Sequence, residues 1–512
     1  MRYNIDQKIL TVLSLLLFIL YGFLTFLNLI WTTYVSSTQN DYHEKPYWTL
    51  DISIVTLILV ATVFGILFLI DRYYGISKIS TKKLRFIASI FLCTVGILWI
   101  FMSRTYPVHD QSIVSNAAGE FINGNYDQLN PGEYLSRFTH QLGIVFIFQL
   151  IYSVVGTGNT TFIMLLNVIL LCGTYNILFL ILKKFTPSAR IHNLYWLITF
   201  FSFAPIFYCT FVYGTIIGLF FAVTALYFLI KFTENKRIPD FVISFLFFAI
   251  SCIAKSNYEI YVIAAFLVLI FKAIQQKKLF FVPFAILITL SMFCSSFINV
   301  YYSSASGTQI GKGSPASLWV AMGLQEGPCG NGWYNQYNVI TYGSVNGDYD
   351  KANAVAKEDI SKSLSNFGKK PLYASKFFFD KTISQWNDPS FQSLWMSDYW
   401  NNHSDELSST ANSIYNGVLN KIFIKIMDLV ALFIWLGSAV FYFIKRKELS
   451  IEQFILGIIF MGGFIFHFFW EAKALYTMPY FFISIIAGVQ GMDFMLNKFN
   501  RFMNKYTVKN KK

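Results

Sequence analysis

One acidic residue stands where a long apolar segment gives way to a polar one, and its position suits proton transfer. Asp110 follows the segment Ser103-Arg104-Thr105-Tyr106-Pro107-Val108-His109, in which Pro107 ends the preceding helix. A carboxylate placed there can act as a general base and take a proton from an acceptor hydroxyl group. The alternative is structural, because Asp is favoured at helix N-caps. Apolar residues at helical spacing from Ile113 to Phe121 predict the short helix that such a cap would begin.

Histidines are the second set of residues whose types permit chemistry. His109 and His140 flank the polar segment, and His467 precedes Glu471 by four residues, which is about one helical turn. A divalent metal ion could use such groups as ligands, although no spacing fixes their distances. We expect solvated or hydrogen-bonded histidines, and a divalent metal ion stays open as a cofactor.

The composition identifies the elements that must position these residues. The chain has 512 residues, of which 55% are hydrophobic and only 13% charged, with a mean hydropathy of +0.50. This charged fraction is about half that of a soluble domain. The composition excludes a soluble enzyme, a disordered protein and a disulfide-built secreted module. The apolar run 9–31 is too long for the hydrophobic region of a signal peptide, so we expect it to be the first membrane span.

Hydropathy predicts an all-α polytopic membrane protein with about twelve transmembrane helices. The predicted spans are residues 9–31, 50–70, 86–103, 161–182, 192–210, 213–231, 240–254, 258–273, 279–300, 421–443, 452–470 and 474–492. The apolar run 142–155 is short for a span, and we expect it to lie at the membrane interface together with the helix that follows Asp110.

The distribution of charge predicts the orientation. If 142–155 does not cross, most of the 40 Lys and Arg side chains fall on one side, which the positive-inside rule places in the cytoplasm with both termini. The net charge of +13 then reflects topology and anionic lipid head groups in the cytoplasmic membrane, and no nucleic-acid partner is needed. The predicted parts are an N-terminal transmembrane hairpin (1–85), a core membrane module (86–300) with an external loop (104–160), a large external loop or small domain (301–420), and C-terminal transmembrane helices with a basic tail (421–512).

Several short motifs, in this order and with this topology, resemble the GT-C superfamily of polyprenyl-phosphate-dependent glycosyltransferases. Closest in plan are the protein O-mannosyltransferases and the lipid A aminoarabinose transferases, and the long-loop motifs are similar to those of Gram-positive bacterial members. The motifs are Tyr106-Pro107-Val108-His109-Asp110-Gln111, Tyr134-Leu135 with His140-Gln141-Leu142-Gly143, Ala321-Met322-Gly323-Leu324, Gly332-Trp333-Tyr334-Asn335, Trp386-Asn387-Asp388-Pro389-Ser390, and Trp470-Glu471-Ala472-Lys473-Ala474-Leu475-Tyr476-Thr477-Met478-Pro479-Tyr480. The chain departs from the family in three places. His109 stands beside Asp110 where protein mannosyltransferases pair two acids, the second acid expected in the next short external loop is missing from residues 208–214, and Leu475 replaces the family's Arg.

The resemblance implies a site built around Asp110 as catalytic base. A sugar donor on a polyprenyl phosphate needs cations that hold the phosphate as it leaves. Lys255 and Lys473 are the main candidates, followed by Arg104 and Arg137, and the alternative for all four is snorkelling to lipid head groups. The other expected substrate-binding residues are His109, Gln111, His140, Glu471 and Tyr476. Glu471 is also a candidate ion-pair partner of Lys473.

We therefore expect a membrane glycosyltransferase that moves a sugar from a polyprenyl-phosphate donor to an acceptor outside the cytoplasm, such as a cell-wall polymer, a glycolipid or a protein. One alternative is a polysaccharide polymerase or ligase, although residues 301–420 contain none of the Arg expected of those enzymes. Another is a transporter or flippase, which needs mid-membrane charges that the predicted spans nearly lack. The tryptophans of the long loop fit both carbohydrate stacking and an ordinary core; they are Trp319, Trp333, Trp386, Trp395 and Trp400.

Overall fold

Long apolar runs favour helices in this chain because a helix satisfies its backbone hydrogen bonds internally, as a bilayer requires. The structure is a computed structural model that describes residues 5–37, 44–51, 53–277, 279–398 and 407–509. It is about 79% helical. The helices are α1 (Ile5–Ile30), α2 (Ser53–Tyr73), α3 (Thr81–Ser103), α4 (Asp110–Ile122), α5 (Tyr134–Arg137), α6 (Leu142–Val155), α7 (Thr160–Phe185), α8 (Ala189–Thr199), α9 (Phe203–Phe207), α10 (Gly214–Asn235), α11 (Ile238–Ala254), α12 (Glu259–Gln276), α13 (Phe281–Thr289), α14 (Cys294–Ser306), α15 (Ser317–Gly323), α16 (Tyr337–Ser344), α17 (Tyr349–Lys369), α18 (Pro371–Trp386), α19 (Ser393–Asp398), α20 (Ser409–Asn416), α21 (Val418–Lys445), α22 (Ile451–Phe469) and α23 (Met478–Lys509), and the strands are β1 (Trp31–Ser37) and β2 (Glu44–Leu50).

The helical, polytopic character predicted from hydropathy is confirmed. Within the described residues, ten helical segments are long and apolar enough to cross a membrane, and eleven if the bent pair 127–155 counts as one. These ten correspond to ten of the about twelve spans that hydropathy predicts.

Neither of the two remaining predicted spans is a single long helix, and whether they cross stays a prediction. Residues 192–210 form α8 and α9 with a break between them. Pro205 explains the break, since proline lacks an N–H and its ring clashes with the carbonyl of the residue four positions earlier, here Phe201. The span predicted at 240–254 is α11, which has 17 residues, fewer than the roughly 20 that cross a bilayer.

Helices α10 and α11 pack unusually closely. The Ser251 hydroxyl donates to the Gly218 carbonyl oxygen at 3.0 Å. A Cβ atom on Gly214 would lie 1.9 Å from the Ala254 carbonyl oxygen, so only glycine permits this approach. The contact matters for the site because Lys255 follows α11 directly.

The segment after α3 contains the predicted pair of short helices. Helix α4 covers the predicted 111–121 helix, and α6 coincides with the apolar run 142–155. The Ser115 and Tyr152 hydroxyls join the two helices at 2.6 Å. The chain bends by 105° just before α6, so α6 does not continue the preceding helix in a straight line. That α6 lies at the interface stays a prediction.

A two-stranded ribbon is added to a fold that is otherwise helical and that fits the all-α prediction. Strands β1 and β2 pair antiparallel, from Trp31 opposite Leu50 to Ser37 opposite Glu44. Threonine and aromatic residues, which are typical of strands, make up four of the seven residues of β1 and three of the seven of β2. The ribbon is fastened to the loop after α18, because Thr33 N–H donates to the Asn387 carbonyl oxygen at 3.2 Å and the Asn387 amide donates to the Trp31 carbonyl oxygen at 2.6 Å.

The segment between α14 and α21 is helical and is fixed to the end of α22 by a buried lysine. Lys381 is 1% exposed, and its ammonium group donates to the carbonyl oxygens of Gly323, Phe468 and Trp470 at 2.6, 3.0 and 2.7 Å. These are carbonyls that helix ends leave without intrahelical partners. Burial lowers the pKa of Lys381 to about 7.

The motif Trp386–Ser390 also has a structural role. The Asp388 carboxylate accepts bonds from the Ser390 N–H at 2.8 Å, the Ser390 hydroxyl at 2.7 Å and the Gln392 N–H at 2.9 Å. Trp386 is 4% exposed and lies among Phe460, Phe464 and Tyr480. The motif therefore shapes the turn before α19.

Helix α21 has charged residues in its first half. Lys425 Nζ lies 2.8 Å from Asp51 Oδ2 and 2.9 Å from Asp428 Oδ2, and Asp428 is fully buried. The Asn28 amide donates to Asp428 Oδ1 at 2.7 Å. This ion-pair cluster joins α21 to both helices of the N-terminal hairpin.

Candidate functional site

A cavity of about 540 Å³ opens beside the end of α22 and the start of α4. Six separate parts of the chain contribute to it: β2, the region from 108 to 141, the α9–α10 and α11–α12 connections, the long segment 301–420 and the α22–α23 connection. Its lining residues are Glu44, Val108, His109, Asp110, Gln111, Ile113, Tyr134, Arg137, Phe138, His140, Gln141, Phe211, Tyr213, Lys255, Trp319, Tyr334, Gln336, Asn338, Val339, Trp395, Met396, Glu471, Lys473, Leu475 and Tyr476. Nine of the ten residues predicted for the site are among them.

Asp110 is the first residue of α4, and its side chain is exposed to the cavity. The N-cap position belongs to His109, and no side-chain capping bond forms there. The alternative that Asp110 caps the helix is therefore wrong. Burial raises the pKa of Tyr134, and the nearby Tyr213 and Asp110 add to the rise. A carboxylate at the first turn of a helix is stabilised by the positive end of the helix dipole.

The backbone just before Asp110 is strained. His109 has φ 50° and ψ −131°, a conformation that non-glycine residues seldom adopt. Gln336, across the cavity, has φ 64°. Such conformations cost about 1–3 kcal/mol each and concentrate at functional sites.

Gln111 holds the neighbouring loop in place. Its side chain is 4% exposed, and its amide oxygen accepts the Val212 N–H at 2.8 Å. This bond fixes the turn Phe211–Tyr213, which forms one wall of the cavity. Gln111 was predicted to bind substrate, and the structure gives its oxygen a positioning contact instead.

Lys473 lies between two carboxylates. Its Nζ is 3.1 Å from Glu44 Oε2 and 4.0 Å from Glu471 Oε1. Burial alone would lower the pKa of Lys473, but Glu44 and then Glu471 outweigh burial and raise it well above its usual value. Lys473 is therefore a permanent cation.

Glu44 is the residue that sequence reasoning missed. It begins β2, it is 8% exposed, and it approaches Lys473 more closely than the predicted partner Glu471 does. The only sequence signal was an acidic residue in a segment rich in strand-forming types. Neither the ribbon nor its register was predicted.

Glu471 is almost wholly buried, at 3% exposure, and accepts the Tyr476 hydroxyl at 3.3 Å. Burial raises the pKa of its carboxyl group, and the Lys473 charge opposes that rise. The predicted ion pair between Glu471 and Lys473 is present as the longer of the two contacts.

Lys255 has a different environment although it lines the same cavity. Its Nζ donates to the Thr215 hydroxyl at 2.9 Å and lies 5.3 and 5.4 Å from the ring centroids of Tyr213 and Tyr476. No carboxylate of the described residues lies within ion-pair distance of it. Burial, followed by the Lys473 charge, lowers the pKa of Lys255 to about 7, and Asp110 opposes the shift. An anion entering the cavity would supply the missing countercharge.

The remaining predicted residues are placed as follows. Arg137 lines the cavity, with its guanidinium carbon 5.9 Å from the Phe138 ring centroid. His140 lines it too, with its ring edge-on to Trp319 at 5.7 Å. Arg104 is the C-cap of α3, with φ 48°, and is not among the cavity residues. It was predicted as a substrate-binding residue because it is one of the few cations of the predicted external side, at the exit of the third predicted span.

Metal binding has no ready site in the ranges that the structure describes. His467 is fully buried, stacks on the Tyr476 ring at 5.7 Å and does not line the cavity. Among the described residues, no group of three or more His, Cys, Asp or Glu side chains is arranged to hold a metal ion.

The long segment 301–420 supplies aromatic and amide groups to the cavity. Trp319 and Trp395 line it, and Trp319 stacks on Trp470 with centroids 5.9 Å apart and planes at 3°. Trp333 and Trp386 are core residues instead, and Trp400 lies outside the described residues. The core interpretation therefore holds for Trp333 and Trp386, and carbohydrate stacking by Trp319 and Trp395 stays a prediction.

Comparison of the chain with protein-family models and with curated protein sequences found no match. The resemblance to the GT-C superfamily rests on the motifs and on the layout of the helices.

Proposed function

We propose that this protein is a membrane glycosyltransferase that moves a sugar from a polyprenyl-phosphate donor to an acceptor hydroxyl outside the cytoplasm. The observation that carries the proposal is the meeting of Asp110, Lys255 and Lys473 along one cavity. A carboxylate and two ammonium groups are the groups that sugar transfer from a phosphate donor requires.

The donor explains why the site would be built at one end of a helical bundle. Each methylene of a polyprenyl tail adds roughly 0.8 kcal/mol to membrane affinity, so the sugar phosphate stays at the head-group plane. The enzyme must then work at the membrane surface. Orientation by the positive-inside rule places this cavity on the extracytoplasmic side.

The chemistry divides between the two kinds of group. The acceptor oxygen forms a bond to the anomeric carbon while its proton passes to the Asp110 carboxylate. The bond between the anomeric carbon and the phosphate oxygen breaks, and the electron pair leaves with the polyprenyl phosphate. A phosphate anion beside Lys255 favours its ammonium form, and that form stabilises the growing negative charge. The lack of a protein carboxylate partner makes Lys255 the better phosphate ligand, because Lys473 already has two carboxylate neighbours.

The aromatic residues of the outer wall suit the sugar rings. Trp319 and Trp395 present apolar faces, and Gln336 and Asn338 present amides, next to the carboxylate and the cations. The acceptor would enter from this wall, since it is formed by the long external segment. Cell-wall polymers, glycolipids and proteins all remain acceptors of the right kind.

The test is the substitution Asp110→Asn, which keeps the shape and removes the base. We expect transfer to fall by about 10²–10⁴-fold, the usual contribution of a general base. The matched control is Asp127→Asn, because Asp127 is an exposed carboxylate of the same external segment that does not line the cavity.

The readout is glycan analysis of wall polymers and lipid carriers in a deletion strain complemented with each variant. Loss of one sugar with accumulation of its lipid carrier in Asp110→Asn, but not in Asp127→Asn, supports the proposal. Full activity of Asp110→Asn contradicts it. Unchanged glycans with altered solute uptake in the deletion strain would indicate a transporter.

A further inference from the structure

A second and larger cavity lies at the opposite end of the helical bundle. It has a volume of about 950 Å³ and is bordered by α1, α2, α21 and α23. Helix α23 begins at Met478 next to the first cavity and reaches the second one at Phe494 and Lys498. At 1.5 Å per residue these positions are about 24 and 30 Å along the helix, which is close to the thickness of the bilayer core. The lining residues are Phe18, Phe64, Val440, Phe443, Ile444, Phe494, Met495, Lys498, Phe499, Arg501, Phe502 and Lys505.

The walls of this groove are aromatic and aliphatic. Phe499 meets Phe64 and Phe68 edge to face at 5.7 and 4.8 Å, and Phe18 lies 5.0 Å from Phe443. Phe443 is nevertheless 44% exposed, so its face is left for another apolar molecule to cover. All four helices are candidate membrane spans, so that molecule is most simply a lipid chain.

The mouth of the groove is basic. Lys498, Arg501 and Lys505 occur at positions i, i+3 and i+7 of α23, which places them on one face of the helix. Among the described residues none of the three forms an ion pair with a carboxylate.

Other cations of the chain contrast with these three. Lys272 is paired with Glu452, and Arg190 is paired with both Asp71 and Asp493. Three uncompensated cations at the mouth of an apolar groove complement a molecule that has an anionic head and an apolar tail.

We propose that this groove binds one anionic glycerophospholipid, with its phosphate against Lys498, Arg501 and Lys505 and an acyl chain between the aromatic walls. The proposal is independent of the chemistry at Asp110. Because the walls come from both the N-terminal hairpin and the C-terminal helices, the bound lipid would tie these two parts together.

The experiment is native mass spectrometry of the full-length protein in detergent, titrated with phosphatidylglycerol or with phosphatidylcholine of the same acyl chains. We expect one phosphatidylglycerol to be retained per protein at least tenfold more tightly than phosphatidylcholine. In the variant Lys498→Gln/Arg501→Gln/Lys505→Gln this preference should disappear. The control variant Lys82→Gln/Lys83→Gln/Lys277→Gln neutralises three exposed lysines outside the groove and should keep it.

Three outcomes would overturn the proposal. Equal retention of the two lipids by the unmodified protein would show that the groove takes only ordinary bilayer lipid. An undiminished preference in the groove variant would place the anionic site elsewhere. An equal loss in the control variant would show a general effect of net charge. Circular dichroism and size-exclusion profiles of both variants check that these surface changes leave the fold intact.

Discussion

The two lysines of the first cavity should differ sharply in chemical reactivity, and this difference can be measured without knowing the substrate. Lys255 has a hydroxyl partner and two aromatic neighbours, whereas Lys473 lies 3.1 Å from a carboxylate oxygen. The pKa of Lys255 is lowered to about 7 from the usual 10.5, and that of Lys473 is raised. Only the neutral amine reacts with an acylating reagent.

The size of the effect follows from these pKa values. At pH 7.5 a lysine with a pKa of about 7 is roughly three-quarters neutral, whereas an ordinary lysine is about 0.1% neutral. Lys255 therefore has about 700-fold more of the reactive form. The lower basicity of the Lys255 amine makes its neutral form less nucleophilic. Lys255 should nevertheless be labelled at least tenfold faster than an ordinary lysine.

The assay is acetylation of the purified protein with a substoichiometric amount of acetic anhydride from pH 6 to 10, followed by peptide mass spectrometry. We expect the labelling of Lys255 to reach half of its maximum near pH 7, and that of Lys473 to stay low throughout. The exposed Lys82 serves as the reference for an ordinary lysine within the same sample.

The substitution Lys473→Gln tests the cause of the shift. It removes a positive charge that lowers the pKa of Lys255, so the labelling midpoint of Lys255 should move to higher pH. The reasoning is refuted if Lys255 in the unmodified protein titrates together with Lys82, or if Lys255 and Lys473 are labelled alike at pH 7.5.

Two further predictions concern residues that hold the structure around the site. Glu44→Gln leaves Lys473 with Glu471 alone, at 4.0 Å, so the pH at which Lys473 becomes labelled should fall. Glu44→Asp should restore that pH in part. An unchanged pH dependence would show that the ribbon does not set the charge of Lys473. Gly491→Ala would place a Cβ atom 1.8 Å from the Gly437 carbonyl oxygen and push α21 from α23, so the thermal unfolding midpoint in detergent should fall by several degrees. Gly65→Ala is the control, because no atom lies within 4 Å of its Cβ position; alanine favours a helix by about 0.5–1 kcal/mol, so the midpoint should stay the same or rise. Equal effects of the two substitutions would contradict the packing argument.

Sequence reasoning succeeded where one local property decides the structure. A run of about twenty apolar residues can hardly be other than a span, which is why ten predicted spans recur as long apolar helices. Sequence reasoning missed the helix break within 192–210, because hydropathy does not reveal the break that Pro205 causes.

Within the site, too, residues decided by local sequence could be predicted and residues decided by long-range contacts could not. Lys255 and Lys473 could be predicted because few cations fall outside the cytoplasmic segments, so each one is informative. Glu44 could not, because its place depends on the register of a two-stranded ribbon and on how that ribbon docks against a distant loop. Arg104 shows the reverse error: it is one of the few cations of the predicted external side, yet it is the C-cap of α3 and does not line the cavity.

These contacts change the interpretation of the N-terminal hairpin. Residues 1–85 can be separated from the core in the sequence, but they supply Glu44 to Lys473, Asp51 to Lys425 and Asn28 to Asp428. Each of these contacts satisfies a buried or half-buried charge of the C-terminal helices, and a buried charge left without its partner typically costs 3–5 kcal/mol. A core without the hairpin would thus lose the nearest countercharge of a cavity lysine and part of an ion-pair cluster inside α21. The hairpin is therefore better regarded as a part of the site's framework than as an addition to it.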